Sequence, residues 1–246
     1  MLIARSLLFT AVFYLNTALF LILGIFLLLT PRSWGMAALK LYAHTCLWWM
    51  WLICGTRTEL RGLEHIPDRP FLIAAKHQSA WDTFALIPIF KDPALVMKAE
   101  LMKIPLYGWF CSKFEMIPIR RETGPSALRN MLQEATRRLK ERREILVFPE
   151  GTRRLPDAPP AYKPGILMMY EKLQVPCVPI ALNSGLFWPR NSQIRHPGTI
   201  VVEILPAIPP GLKRKDFSDR LQQTIENATT ALCHETRTER ARKLEI

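Results

Sequence analysis

Hydrophobic residues are distributed unevenly along the chain and divide it into two regions. Residues 1–54 are almost entirely apolar, with Arg5, Arg32 and Lys40 as their only charged side chains. Beyond this region, short apolar runs alternate with longer amphipathic segments, as in ordinary globular sequence. We therefore expect hydrophobic membrane-anchoring helices at 1–54 and a globular domain at 55–246.

The first apolar run, residues 7–29, is long enough to cross a bilayer, since a helix of this length reaches about 34 Å. It is apolar on all faces, which favours membrane insertion over the alternative of a buried core helix. It ends in Thr-Pro-Arg without a small-residue cleavage site, so we expect it to be retained. A second stretch, residues 34–54, contains Lys40, His44 and several tryptophans. The pair is either a hairpin in one leaflet or one span plus one interfacial helix, and flanking basic residues leave the orientation open.

The region after residue 55 carries the pattern of an α/β domain. Several short runs are apolar on both faces, as buried strands are, and two longer segments are amphipathic with helical spacing. The predicted strands are 71–75, 94–97, 145–148, 175–181 and 199–205, and the predicted helices are 126–142 and 218–242. This alternation predicts an α/β fold with a mixed, largely parallel sheet flanked by helices.

The charge and cysteine content narrow the possible functions. The formal net charge is +12, with 33 basic against 21 acidic residues. Such an excess attracts an acidic leaflet or a phosphorylated substrate, and no nucleic-acid-binding motif is present, so we expect no nucleic acid partner. The five cysteines are widely spaced without a C-x-x-C pair, which argues against disulfides and a zinc site and favours a reducing compartment.

Two segments that follow predicted strands are rich in reactive side chains. The first, residues 76–82, contains His77 and Asp82 at an H-x4-D spacing. If the chain turns between them, Asp82 can orient the imidazole so that His77 removes a proton from a hydroxyl. The spacing alone is weak evidence, because His234 and Glu239 show it within a charged helix, and a purely structural strand-end histidine is the alternative.

The second segment, residues 147–154, runs from a buried strand through Pro-Glu-Gly into a threonine and two arginines. Arginine binds phosphate in a planar, bidentate manner, and glycine lets backbone N–H groups approach an anion. The alternative is a solvated loop with charged side chains. The segment matches neither the Walker nor the dinucleotide-binding pattern.

Together these segments resemble the glycerolipid acyltransferase family, the 1-acyl-glycerol-3-phosphate acyltransferases of the PlsC type. That family carries an N-H-x4-D block, an F-I-D-R-like block, an F-P-E-G-T-R block and a V-P-x-x-P block. The matching residues here are 77–82, 117–120, 148–153 and 175–179, with further similarity at 98–109. Lys76 stands where many members have Asn, placing a cation beside the proposed base, and the central block keeps only Arg120.

The resemblance implies transfer of a fatty acyl group from acyl-CoA or acyl carrier protein to 1-acyl-glycerol 3-phosphate, without a cofactor or metal. It implies His77 and Asp82 as catalytic residues. The implied phosphate-binding residues are Lys98, Arg120, Glu150, Gly151, Thr152 and Arg153. We expect an enzyme of the bacterial inner membrane whose catalytic domain faces the cytoplasm. Its expected partners are the lysophospholipid acceptor, the acyl donor and membrane lipid.

Three alternatives remain open from the sequence. The acceptor could be glycerol 3-phosphate, a lyso-amino-lipid or another lysophospholipid. Ser79 could act as an acylated nucleophile, although its closeness to His77 and Asp82 in the chain resembles no known triad. A non-catalytic lipid-binding protein with a degenerate site is the third alternative.

Overall fold

The computed structural model describes residues 1–120 and 124–244, apart from the side chains of 125, 243 and 244. The helices of this structure alternate with strands over most of its length. They are α1 (Leu2–Leu23), α2 (Arg32–Trp49), α3 (Asp82–Ala85), α4 (Tyr107–Lys113), α5 (Gly124–Lys140), α6 (Pro164–Leu173) and α7 (Arg214–Leu244). The strands are β1 (Thr56–Arg61), β2 (Leu72–Ala75), β3 (Ala94–Lys98), β4 (Ile117–Ile119), β5 (Ile145–Val147), β6 (Cys177–Leu182) and β7 (Gly198–Ile204).

The seven strands form one sheet in the order β1-β7-β6-β2-β5-β3-β4. Only the β6–β7 pair is antiparallel within the described chain. The strands β2, β5, β3, β4 and β6 run in the same direction, so their carboxyl ends share one edge of the sheet. This is the edge where open α/β proteins place their sites.

The two faces of the sheet bury separate hydrophobic cores. In β2, Ile73 and Ala75 belong to the core beneath α1 and α2, whereas Leu72 and Ala74 belong to the core beneath α5, α6 and α7. This division follows the period of two of a β-strand, in which successive side chains point to opposite faces. Because both faces are covered, the central strands β2, β5 and β6 are apolar throughout, as their sequence predicted.

The helix α1 packs along the α/β region with one side and exposes the other. Ser6 Oγ accepts a hydrogen bond from the backbone N–H of Arg195 at 2.9 Å, and the ring of Phe9 packs edge-on against Trp188. The outer side exposes large apolar side chains, namely Leu7, Leu8, Leu15, Leu19, Ile22 and Leu23. Of the described helices, α1 alone is long and apolar enough to cross a membrane. Residues on both sides of position 55 share one core, and the division of the chain there remains a prediction.

The structure confirms the predicted fold class and shifts several element boundaries. The α/β fold with a mixed, mostly parallel sheet flanked by helices is as expected. The continuous helix expected over 7–29 is wrong, since α1 ends at Leu23 and a 3-10 helix follows over Ile25–Leu29. The strands β1 and β4 were not predicted, because β1 is largely exposed and polar and β4 has only three residues. The helices α3, α4 and α6 were not predicted either, because they have only four, seven and ten residues.

Candidate active site

Strand alternation separates two neighbouring residues at the end of β2. The backbone N–H of Lys76 still donates to Ile180 O at 2.9 Å, so the extended conformation continues past Ala75. Lys76 therefore points to the face covered by α7, and His77 points to the face covered by α1. An adjacent cation and imidazole thus occupy different environments.

The carboxylate of Asp82 bonds both the His77 side chain and the backbone of the residues that follow His77. The distance between His77 Nδ1 and Asp82 Oδ2 is 3.0 Å. The same oxygen accepts the backbone N–H groups of Gln78 and Ser79 at 2.8 and 2.9 Å, and Ser184 Oγ donates to Oδ1 at 2.6 Å. These four hydrogen bonds offset the burial of a carboxylate that is fully removed from solvent. The contact predicted from the H-x4-D spacing is present, and the catalytic roles remain predictions.

The imidazole of His77 is fixed against the segment that follows β5. Its ring stacks on Phe148 with a centroid distance of 4.0 Å and an interplanar angle of 16°. The backbone N–H of Arg154 donates to His77 O at 2.7 Å. The pairing of β2 with β5 therefore brings together two segments about 70 residues apart. The His77 side chain retains 12% exposure, so a substrate can reach it.

A buried ionic cluster lies behind this loop on the α7 side. Lys76 Nζ lies 3.1 Å from Glu150 Oε1 and 2.8 Å from both carboxylate oxygens of Glu226. Tyr162 donates its hydroxyl to Glu226 Oε1 at 3.0 Å. Burial raises the pKa of Glu150, and the nearby Lys76 ammonium opposes that rise. The expectation that the Lys76 charge would act on His77 needs correction, since two carboxylates take up that charge.

The remaining predicted phosphate-binding residues lie at the same edge of the sheet at increasing distances from His77. Gly151 forms the turn after β5 with a φ of +64°, which glycine adopts without strain. Thr152 and Arg153 follow it and are partly buried. Arg153 lines a cavity together with Ala80 of the catalytic loop, which is the segment 76–82 that carries the proposed base His77. Lys98 ends β3 and Arg120 follows β4, which places them roughly 10 and 14 Å from β2 at the usual strand spacing. Their roles remain predictions.

The structure also shows what sequence reasoning missed. Nothing in the sequence pattern marked Ser184, Glu226 or Tyr162 as a site residue, except that Ser184 follows an apolar strand. Ser79 is fully buried and its Oγ accepts a hydrogen bond from Trp81 N at 3.1 Å, an arrangement unsuited to a nucleophile. Within the described ranges, no cluster of three or more His, Cys, Asp or Glu side chains is arranged to hold a metal.

The fold and this edge of the sheet define a class of protein. The model of the Acyltransferase family matches residues 57–183, about half of the chain, and the chain belongs to this family. The match includes both reactive segments and ends just after β6. The resemblance stated from the sequence is thereby confirmed.

Individual relatives agree with this assignment. The chain is 35% identical over 167 residues to a 1-acyl-sn-glycerol-3-phosphate acyltransferase of Pseudomonas aeruginosa, covering 68% of this chain and 65% of that one. It is 29% identical over 178 residues to the human alpha form, covering 70% of this chain and 63% of the human one. It thus spans just under two thirds of the length of each. The crystal structure of the 1-acyl-sn-glycerophosphate acyltransferase PlsC from Thermotoga maritima superimposes with a TM-score of 0.79 at 25% identity, covering 94% of this chain and 98% of that one.

Proposed function

We propose that the protein transfers a fatty acyl group from acyl-CoA or acyl carrier protein to the free hydroxyl of 1-acyl-glycerol 3-phosphate, giving phosphatidic acid. The observation that carries this proposal is the His77–Asp82 pair stacked against the Phe148–Arg153 turn. The names of the relatives support the same reaction. No cofactor beyond the donor thioester takes part.

The proposed chemistry uses His77 as a general base. With Nδ1 bonded to Asp82, the proton of the neutral ring lies on Nδ1 and Nε2 is the basic nitrogen. Nε2 takes the proton of the acceptor hydroxyl while the oxygen attacks the thioester carbonyl. The tetrahedral intermediate then collapses, the C–S bond breaks, and the leaving thiolate takes the proton from His77. Asp82 accepts the hydrogen bond from Nδ1 and stabilises the transient imidazolium.

The acceptor phosphate is held by cations at the same edge of the sheet. Arg153 directly precedes Arg154, whose backbone N–H donates to His77 O, whereas Lys98 ends β3 and Arg120 follows β4, two and three strands from β2. Gly151 and Thr152 shape the turn, and the buried Glu150 fixes it through Lys76 rather than contacting an anion. Guanidinium groups suit a phosphate monoester because of their planar pairs of donors.

The proposed location is the cytoplasmic leaflet of a bacterial inner membrane. The exposed apolar side of α1 supports membrane association, and its other side lies against the α/β region. The segment before and within α4 also exposes Ile104, Tyr107 and Trp109. The five free cysteines fit a reducing compartment. Because the α/β region covers one side of α1, insertion of α1 into one leaflet fits the structure better than a full membrane span.

A transfer assay with purified protein tests the proposal. Lysophosphatidic acid, which is 1-acyl-glycerol 3-phosphate, is supplied with acyl-CoA or acyl carrier protein. The product, phosphatidic acid, is measured by lipid mass spectrometry. Since general base catalysis contributes about 10²- to 10⁴-fold, His77→Ala should lose at least about a hundredfold in kcat. Asp82→Asn should lose activity while retaining acceptor binding, because it removes the group that fixes the ring tautomer.

A second histidine provides the matched control. His65 Nδ1 contacts Ile204 O at 2.8 Å, at the end of β7, which is separated from β2 by β6 in the sheet. His65→Ala should therefore retain activity within about threefold, as expected for a change outside the site. Full transfer by His77→Ala would refute the proposal, and a panel of lysophospholipids and glycerol 3-phosphate would identify a different acceptor.

A further inference from the structure

A cavity of about 280 Å³ lies between α1 and the loop that follows β6, next to the catalytic loop. Its walls differ in chemistry. The apolar wall comes from Phe9, Phe13 and Tyr14 of α1 together with Trp188. The polar wall comes from Arg153, Asn191, Ser192, Gln193 and Arg195, and Ala80 connects the cavity to the catalytic loop. An amphipathic ligand would match both walls.

Arg195 is a buried cation in the wall of this cavity. Its residue is 6% exposed, its guanidinium lies 4.3 Å from the centre of the Trp188 ring, and its Nη1 donates to Ser192 O at 2.7 Å. Its Nε is buried without a hydrogen-bond partner in the described chain. Burial lowers the pKa of Arg195 to about 10, so the side chain is still a cation at neutral pH.

The burial of this charge is not balanced by an acid. The other deeply buried cations, Lys76, Arg138 and Arg143, each form ion pairs with Glu or Asp. Among the described residues Arg195 forms no such pair, and the groups acting on its charge are Cys54 and Tyr14. An unpaired buried charge is costly, and an anion from outside the protein would compensate it. Because Arg195 lines the cavity, an anion bound there would lie next to its guanidinium group.

A second guanidinium lines the same cavity. Arg153 belongs to the turn that contacts His77, so an anion bound between Arg153 and Arg195 would lie beside the catalytic loop. A phosphate monoester carries a charge of about −1.5 to −2 at neutral pH and accepts several hydrogen bonds. Phe9 and Phe13 would contact the hydrocarbon of the same ligand. The opposite side of α1 is exposed and apolar, so such a ligand would reach the cavity from a membrane.

We propose that Arg195, together with Arg153, binds the phosphate of the lysophospholipid acceptor and selects acceptors that carry a phosphate monoester. This inference rests on the proposed function and adds a binding residue to it. Arg195 lies outside the family-model match at 57–183. It would discriminate against zwitterionic headgroups, whose phosphate carries one charge and a bulky substituent.

The test compares Arg195→Gln with a matched control, Arg240→Gln. Arg240 also places its guanidinium over an aromatic ring, Phe187 at 4.5 Å, and donates to Leu186 O at 3.3 Å, but it does not line the cavity. Because charged hydrogen bonds contribute strongly, Arg195→Gln should raise KM for lysophosphatidic acid about tenfold to a hundredfold. KM for the acyl donor should stay within about threefold, Arg195→Lys should recover part of the loss, and Arg240→Gln should resemble the unchanged protein.

Inorganic phosphate distinguishes the headgroup from the whole lipid. It should inhibit the unchanged protein competitively against lysophosphatidic acid and lose this effect in Arg195→Gln. A rise in donor KM instead, or equal kcat losses in Arg195→Gln and Arg240→Gln with unchanged acceptor KM, would overturn the proposal.

Direct binding separates this inference from the proposed function. Binding of lysophosphatidic acid in detergent to His77→Ala protein is measured by calorimetry, with and without Arg195→Gln. Binding that depends on Arg195 supports the pocket even if the protein acylates a different acceptor. Binding that is absent, or unaffected by Arg195→Gln, refutes the pocket even if transfer to lysophosphatidic acid is observed.

Discussion

At the scale of single residues, the site depends on where two neighbouring side chains point. His77 and Lys76 lie on opposite faces of the sheet, so the imidazole meets Asp82 and Phe148 while the ammonium meets two carboxylates. The Lys76 cluster joins the end of β2, the turn after β5 and α7. It therefore fixes the backbone that carries the proposed base without contacting a substrate.

We expect Lys76→Met to impair catalysis more than its effect on stability explains. The change leaves Glu150 and Glu226 facing each other without their cation, and breaking a buried ion pair costs about 3–5 kcal/mol. A shift of the catalytic loop by about 1 Å can lower the rate by about a hundredfold. The measurement is kcat well below the unfolding temperature, together with the thermal unfolding midpoint. Adding Glu226→Gln should recover part of the stability.

Arg143→Met is the matched control for this change. Arg143 is fully buried and lies 3.3 Å from both Asp92 and Glu115, at the start of β5 and therefore at the opposite edge of the sheet. It should lower the unfolding midpoint comparably and keep kcat within about threefold. A Lys76→Met protein with an unchanged kcat would show that the cluster serves stability alone.

At the scale of elements, helices outside the family match complete the site. The helix α7 supplies Glu226 to the ionic cluster, and its Thr236 accepts a hydrogen bond from Asn183 Nδ2 at 2.8 Å just after β6. The helix α1 contributes the apolar wall of the cavity beside the catalytic loop. The helix α1 precedes the matched residues 57–183, and α7 follows them. The chemistry-bearing segments are thus supported from two sides by elements that carry no catalytic motif.

The position of α1 predicts that both of its ends lie on one side of the membrane. Ser6 near its start contacts Arg195, and Lys113 Nζ donates to Leu28 O at 3.1 Å just beyond its end. Both partners belong to the α/β region, which cannot lie on two sides of a bilayer. Single variants Ile3→Cys and Leu29→Cys should therefore react with a membrane-impermeant maleimide only when the membrane face that carries the α/β region is accessible.

The reference for this labelling is Arg57→Cys, at an exposed position of β1. The five native cysteines are buried and should contribute little background. Labelling of one α1 end from the face opposite to Arg57→Cys would indicate a spanning helix and refute the one-leaflet arrangement.

At the scale of the whole molecule, charge and apolar surface act together. The net charge is +12, and exposed apolar side chains are concentrated on residues 1–54, which include α1 and α2, and on the segment around α4. Basic residues near an anionic membrane contribute about 1 kcal/mol each, and this attraction is screened at high ionic strength. Burial of the apolar side chains is much less sensitive to salt.

The protein should therefore bind vesicles through two separable contributions. At low salt we expect tighter binding to vesicles containing about a third of anionic lipid than to neutral ones, and the difference should disappear near 1 M NaCl, where the Debye length is about 3 Å. Binding to neutral vesicles should persist. Co-sedimentation across a salt series measures both, and equal binding to the two vesicle types at low salt would contradict the electrostatic contribution.

Much of the fold and part of the site followed from local pattern. Apolar runs with period two and amphipathic runs with helical spacing placed most strands and the long helices within a few residues. The H-x4-D pairing of His77 with Asp82 followed because both residues lie in one short loop. The strands β1 and β4 escaped prediction because one is polar and exposed and the other is only three residues long.

The sequence by itself therefore determined the α/β class, the apolar N-terminal helix and the two reactive segments at strand ends, because local spacing encodes each of them. Only the tertiary structure decided that β5 lies beside β2, that Lys76 pairs with Glu226, and that Arg195 meets Arg153 in one cavity. Lys76 and Glu226 are 150 residues apart, and Ser6 and Arg195 are 189 apart. Contacts over such separations depend on strand order and helix packing, which no local pattern of residues specifies.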